Sequence, residues 1–223
     1  MLILNMIVRP YEKHLAWERI FTFTFIGIIS GTFIAAFHLI LEVSAGQDPA
    51  SLLVIEGLLA FVEQGIIMLV FNLPRFQMKW DTPFLAASFG SGVASMLFLI
   101  RVYLFATGLE GAIFTFGIFF QTLLWSLMVA FLFPSAASLI GFGASRGKVM
   151  KYYPIAAILQ WSCFTLLAFA MTQDPNAPDM GVVLGMSTGA FALAFMVFLL
   201  VMGYIYPQCV PERKEKGSKK KRD

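Results

Sequence analysis

Charge is scarce in this chain: 13% of its 223 residues are Asp, Glu, Lys or Arg, about half the share carried by a soluble globular domain. Histidine and cysteine are scarcer still, two of each. With His14 in the amino-terminal arm and His38 far along the first apolar block, no haem-like histidine pair faces across helices. Cys163 and Cys209 lie too far apart in expected membrane depth for a disulfide, and they have no metal-ligand spacing. The phosphate loop, the dinucleotide fingerprint and a Ser/His/Asp set at one depth are missing too. What the chain has in quantity is apolar: 59% of residues are hydrophobic and 24 are Phe.

These apolar residues come in blocks of about 20, the length a helix needs to cross about 30 Å of hydrocarbon. Six blocks are bounded by charge, Gly or Pro: Ile20 to Leu41, Leu52 to Leu73, Pro83 to Phe105, Ala112 to Phe133, Pro154 to Thr172 and Val182 to Tyr206. The reading is an all-α, polytopic transmembrane helical bundle. A polar arm (1–19) precedes it and a basic tail (207–223) follows it. The first block is too long for the apolar core of a signal peptide and has no small-residue cleavage site before it. Apolar character continues past Pro134 through "SAASLIGFG", so a half-helix or re-entrant turn is expected after the fourth span.

Lys and Arg set the orientation. All but Arg101 of the 16 basic residues fall in the arm, the second loop, the fourth loop and the tail, on one side of a six-span chain. The opposite loops hold Glu42, Asp48, Glu110, Asp174 and Asp179 without a single Lys or Arg. The positive-inside bias therefore puts both termini in the cytoplasm. The net charge of +3 comes from the tail "ERKEKGSKKKRD", which points to anionic lipid headgroups and not to nucleic acid. Its last four residues, "KKRD", also fit a dilysine retrieval signal, so the membrane is the plasma membrane in a prokaryote or the endoplasmic reticulum in a eukaryote.

Polar groups inside the spans are where function is sought, because each costs free energy unless it faces protein or water. Glu56 and Glu63 share a face of the second span, Glu56 near the outer surface and Glu63 near the midplane. His38, Glu56 and Arg101 are expected to form an outer-leaflet cluster, or else to lie separately at the interface. At the midplane Glu63 and Gln64 have partners of similar depth in Gln121 and Gln160. A carboxyl group among apolar side chains is expected to stay neutral and to donate to an amide. These four residues are read either as polar glue between helices or as a binding groove. Ser88, Ser91, Ser95 and Gly92, and the series Gly181, Gly185 and Gly189, have the spacing that lets helices approach closely.

The stretch "FVEQGIIMLVFNLPRFQMKWDTPFLAASFGSGVASMLFLI" resembles the central region of the PrsW family of intramembrane metalloproteases, relatives of the CAAX-processing proteases. Glu63 matches the first acid of the family's E-E-x-x-K/R pattern. Asp81 matches the loop acid, and "AASFGSGVAS" the small-residue helix. "SLIGFGASRGK" and "PIAAILQWSCFTLLAF" resemble the regions around its two histidine-bearing helices, so the likeness covers roughly residues 56 to 169. The family's remaining functional positions read Gln64, Ile67, Leu97, Phe98, Phe133 and Gln160. A catalytic zinc site needs three protein ligands and an open position for water, which Glu63 alone does not supply. The resemblance therefore implies a non-catalytic relative with no metal and no cofactor. Its expected role is a partner-binding subunit, adaptor or chaperone for another membrane protein. An active metalloprotease, and a small transporter or channel using Glu63, are the alternatives.

Overall fold

The computed structural model describes residues 2–45, 48–108, 116–171 and 179–209. Its elements are α1 (Leu2–Val8), a 3-10 turn (Arg9–His14), α2 (Trp17–Ala45), α3 (Pro49–Phe71), α4 (Thr82–Gly108), α5 (Phe116–Ser145), α6 (Val149–Met171), α7 (Met180–Leu200), a π-turn (Val201–Ile205) and α8 (Tyr206–Cys209). Six helical stretches are long and apolar enough to cross a membrane: Trp17–His38, Pro49–Phe71, Thr82–Ile100, Phe119–Ser145, Val149–Ala170 and Met180–Cys209. The chain is an all-α, multi-pass helical bundle.

Small residues make the central contacts. A Cβ on Gly27 would overlap the backbone of Phe89, and one on Gly92 would overlap that of Thr24, so α2 and α4 touch main chain to main chain. On its other side α4 presents Gly90, where a Cβ would come within 2.5 Å of the Phe133 carbonyl oxygen of α5. Close approach of this kind is what replaces hydrophobic drive between helices in lipid. The series at Gly181, Gly185 and Gly189 behaves otherwise: these glycines are exposed, and nothing lies within 4 Å of a Cβ at Gly185. Their spacing matches a packing motif, but they face outward, on the side of α7 away from Ala190, Ala194 and Val197, which are buried.

The bundle departs from expectation in two further places. The helix α5 does not turn back after Pro134 but runs on to Ser145. Proline removes one backbone donor; the helix nevertheless continues, with Ser135 Oγ donating to the Phe131 carbonyl at 2.6 Å and Ser138 Oγ to that of Pro134 at 2.7 Å. The arm, expected to be polar, instead contains α1, whose Leu4, Ile7 and Val8 have helical spacing and are buried. Tyr11 follows, with its ring 5.0 Å from Phe84 and 6.1 Å from Tyr206.

Candidate functional site

The side chains of α6 stitch that helix to α3 at three levels. Tyr153 Oη donates to the Phe61 carbonyl at 3.1 Å, and Trp161 Nε1 donates to the Leu53 carbonyl at 3.0 Å. The indole fits because residue 57 is glycine: a Cβ there would meet the Trp161 ring at 3.1 Å. Between these two bonds lies Gln160, the middle of a polar chain. Gln64 Nε2 donates to Gln160 Oε1 at 2.5 Å, and Gln160 Nε2 donates to Glu63 Oε2. The other carboxyl oxygen, Glu63 Oε1, lies 2.5 Å from His38 Nε2 on α2. Three helices are thereby joined through one carboxyl group.

The chain is interior. Glu63 is 2% exposed, Gln64 0%, Gln160 1% and His38 5%. The His38 imidazole lies 5.5 Å from the Phe164 ring, which in turn meets Phe133 edge-on at 6.2 Å. Towards the end of the bundle where α3 stops, the same face of α3 continues as Ile67 and Phe71, both fully buried. Phe71 packs against Phe23 at 5.5 Å, Phe76 at 5.3 Å and Phe89 at 6.1 Å. The polar chain is therefore closed on that side by aromatic rings.

Of the four midplane candidates, Glu63, Gln64 and Gln160 come together, whereas Gln121 sits half-buried on α5 and takes no part in the chain. Glu63 accepts from Gln160 where donation to an amide was expected. His38, expected in an outer-leaflet cluster, reaches the midplane residue Glu63. The helix α2 runs to Ala45, seven residues beyond it, and so sets His38 at the depth of Glu63. Glu56 is buried one face-repeat along α3 from Glu63. The side chains of Arg101 and His14 lie outside the described residues. Tyr153 and Trp161 had no sequence signal as helix ties, because their acceptors are backbone carbonyls.

Chemically, the site gathers one imidazole, one carboxyl group and two amides. Gln64 Oε1 is buried without a hydrogen-bond donor. Among the described residues no three His, Cys, Asp or Glu side chains converge. His38 and Glu63 are thus two donors where zinc chemistry asks for three and a water, and the residues present do not fit that metal. What the arrangement does is link α2, α3 and α6 through buried polar side chains, which ties the positions of the three helices to one another.

These features define the class: an integral, multi-pass membrane protein with a buried polar tie across three helices. Comparison with protein-family models, characterised proteins and solved structures finds no match to this chain.

Proposed function

We propose that this protein is a non-catalytic, PrsW-like membrane protein that serves as a subunit, adaptor or chaperone for another membrane protein. The observation that carries the reading is the occupancy of Glu63. Its two oxygens are engaged by Gln160 and His38 inside the bundle, which leaves it as a fastener and not as a water-activating base. A transport role is disfavoured because Ile67, Phe71 and their aromatic neighbours close the polar chain at one end. With catalysis and conduction both poorly served, the remaining role is a rigid scaffold whose apolar outer faces meet lipid or a partner. In this reading both termini lie in the cytoplasm and the basic tail attracts anionic headgroups.

Purification under mild detergent from native membranes tests it. Recovery of a second membrane protein in fixed ratio supports the proposal, and recovery of a lone monomer counts against it. One observation favours the alternative of an active metalloprotease, namely that His38 reaches Glu63. Stoichiometric zinc in the purified protein, lost in Glu63→Gln, would establish that alternative instead.

A further inference from the structure

The end of the bundle where α3 stops and α6 begins carries positive charge that the carboxylates among the described residues leave uncovered. Arg75, Lys79, Arg146, Lys148 and Lys151 are all exposed there. Asp81, the nearby acid, is engaged by Arg19 of α2. Among the described residues no carboxylate forms a salt bridge with the other five.

The fold gathers these cations from two loops into one surface. The Met78 N–H donates to the Ala144 carbonyl at 3.2 Å. The Met78 sulfur lies 3.5 Å from where a Cβ on Gly147 would sit. Lys79 therefore follows directly on a residue held against the turn that bears Arg146 and Lys148. Met78 holds φ at 59°, a left-handed conformation that an L residue adopts at a cost. Burial of its side chain does not offset that cost, because the side chain is 74% exposed. Two guanidinium groups are also positioned in advance: Arg75 lies 4.6 Å over the Phe76 ring and Arg146 5.4 Å over the Phe142 ring. Beside the cations the surface turns apolar, with Leu69 of α3, Leu73 just past its end, and Met150 and Ile158 of α6 exposed.

We propose that this surface binds an anionic phospholipid. The headgroup phosphate sits against Lys79, Arg146 and Lys148, with Arg75 and Lys151 at the rim, and the acyl chains follow the seam between α3 and α6. The charge complementarity argues for this occupant. A phosphodiester supplies the missing negative charge and the acceptor oxygens that Arg and Lys favour, and clustered Lys and Arg at this depth face the headgroups of a membrane protein. The site is built on the loops of the folded bundle, where Arg146 also donates to the Gln208 carbonyl at 2.8 Å.

Native mass spectrometry of the full-length protein tests the proposal, with phosphatidylglycerol and phosphatidylcholine of matched chains as probes. The expected result is stronger retention of phosphatidylglycerol, reduced by about fivefold for each lysine removed in Lys79→Gln/Lys148→Gln. Replacing Lys219, Lys220 and Lys221 of the tail with Gln should leave the preference in place. Should the double variant fail to fold, Lys151→Gln and a rise in salt concentration must each weaken the preference instead. Equal retention of the two lipids by the unaltered protein would overturn the proposal. So would a preference lost on neutralising the tail but kept in the Lys79/Lys148 variant.

Discussion

His38 Nε2 and Glu63 Oε1 lie 2.5 Å apart across the seam between α2 and α3. The helix α2 packs chiefly on α4 through Gly27, Gly31 and Gly92, and α3 packs chiefly on α6 through Tyr153, Gln160 and Trp161. The His38–Glu63 pair joins these two couples in the membrane interior. Both side chains are buried, His38 5% and Glu63 2% exposed, so each depends on the other and not on solvent.

Removing one partner strands the other. His38→Ala is expected to destabilise the protein by about 3 kcal/mol, the cost of an uncompensated buried group. The double variant His38→Ala/Glu63→Ala should cost less than the sum of the single changes. Thermal unfolding of all three variants in one detergent measures this. Additive losses would mean that the two side chains do not act together.

Gln160 has two partners, so its loss should exceed that of a single-bond tie. Gln160→Leu keeps the volume but leaves Gln64 Nε2 and Glu63 Oε2 unpaired, for an expected loss of about 2 kcal/mol. Trp161→Phe removes one bond, to the Leu53 carbonyl, and should cost about 0.6 kcal/mol beyond the change in packing. Denaturant titrations of the two variants give the ranking, and a larger loss for Trp161→Phe would contradict it.

The six crossings were legible in the sequence because hydrocarbon thickness imposes a block length that polar residues interrupt. The meeting of Gln64, Glu63 and Gln160 was partly legible too, since residue count along a span fixes depth. His38 escaped that logic: α2 is longer than its apolar block, and nothing local shows how far a helix continues past it. The course of α5 through Pro134 was not legible either, because a proline inside an apolar run can end a helix or sit within one, and packing decides which. The glycines show the same limit. Gly92 and Gly185 each belong to a small-residue series, yet one faces a helix and the other faces outward, a difference that only tertiary packing sets.

Alanine at these two positions turns that difference into a measurement. At Gly92 an added methyl group would overlap the main chain of Thr24 and Ile28, so α2 and α4 must separate at a cost of about 1 to 3 kcal/mol. At Gly185 the methyl group meets nothing within 4 Å, and the higher helix propensity of alanine should stabilise the protein by up to about 1 kcal/mol. Melting temperatures of Gly92→Ala and Gly185→Ala should therefore shift in opposite directions. Two equal shifts would remove the case for close α2–α4 contact.

The docking of the amino-terminal segment should be sensitive to alkali through Tyr11. Burial against Phe84 and Tyr206 is the main cause that raises its phenol above the ordinary tyrosine range, with the Cys209 sulfur adding to it. A raised value means that the fold prefers the neutral phenol. This contribution is complete below about pH 10 and is lost as pH rises through the folded-state value. Tyr11→Phe keeps the ring contacts and removes the proton. Proteolytic release of residues 2–14 should therefore accelerate above about pH 10 in the unaltered protein and stay level in Tyr11→Phe. Parallel curves for the two proteins would show that α1 is held without regard to the state of this phenol.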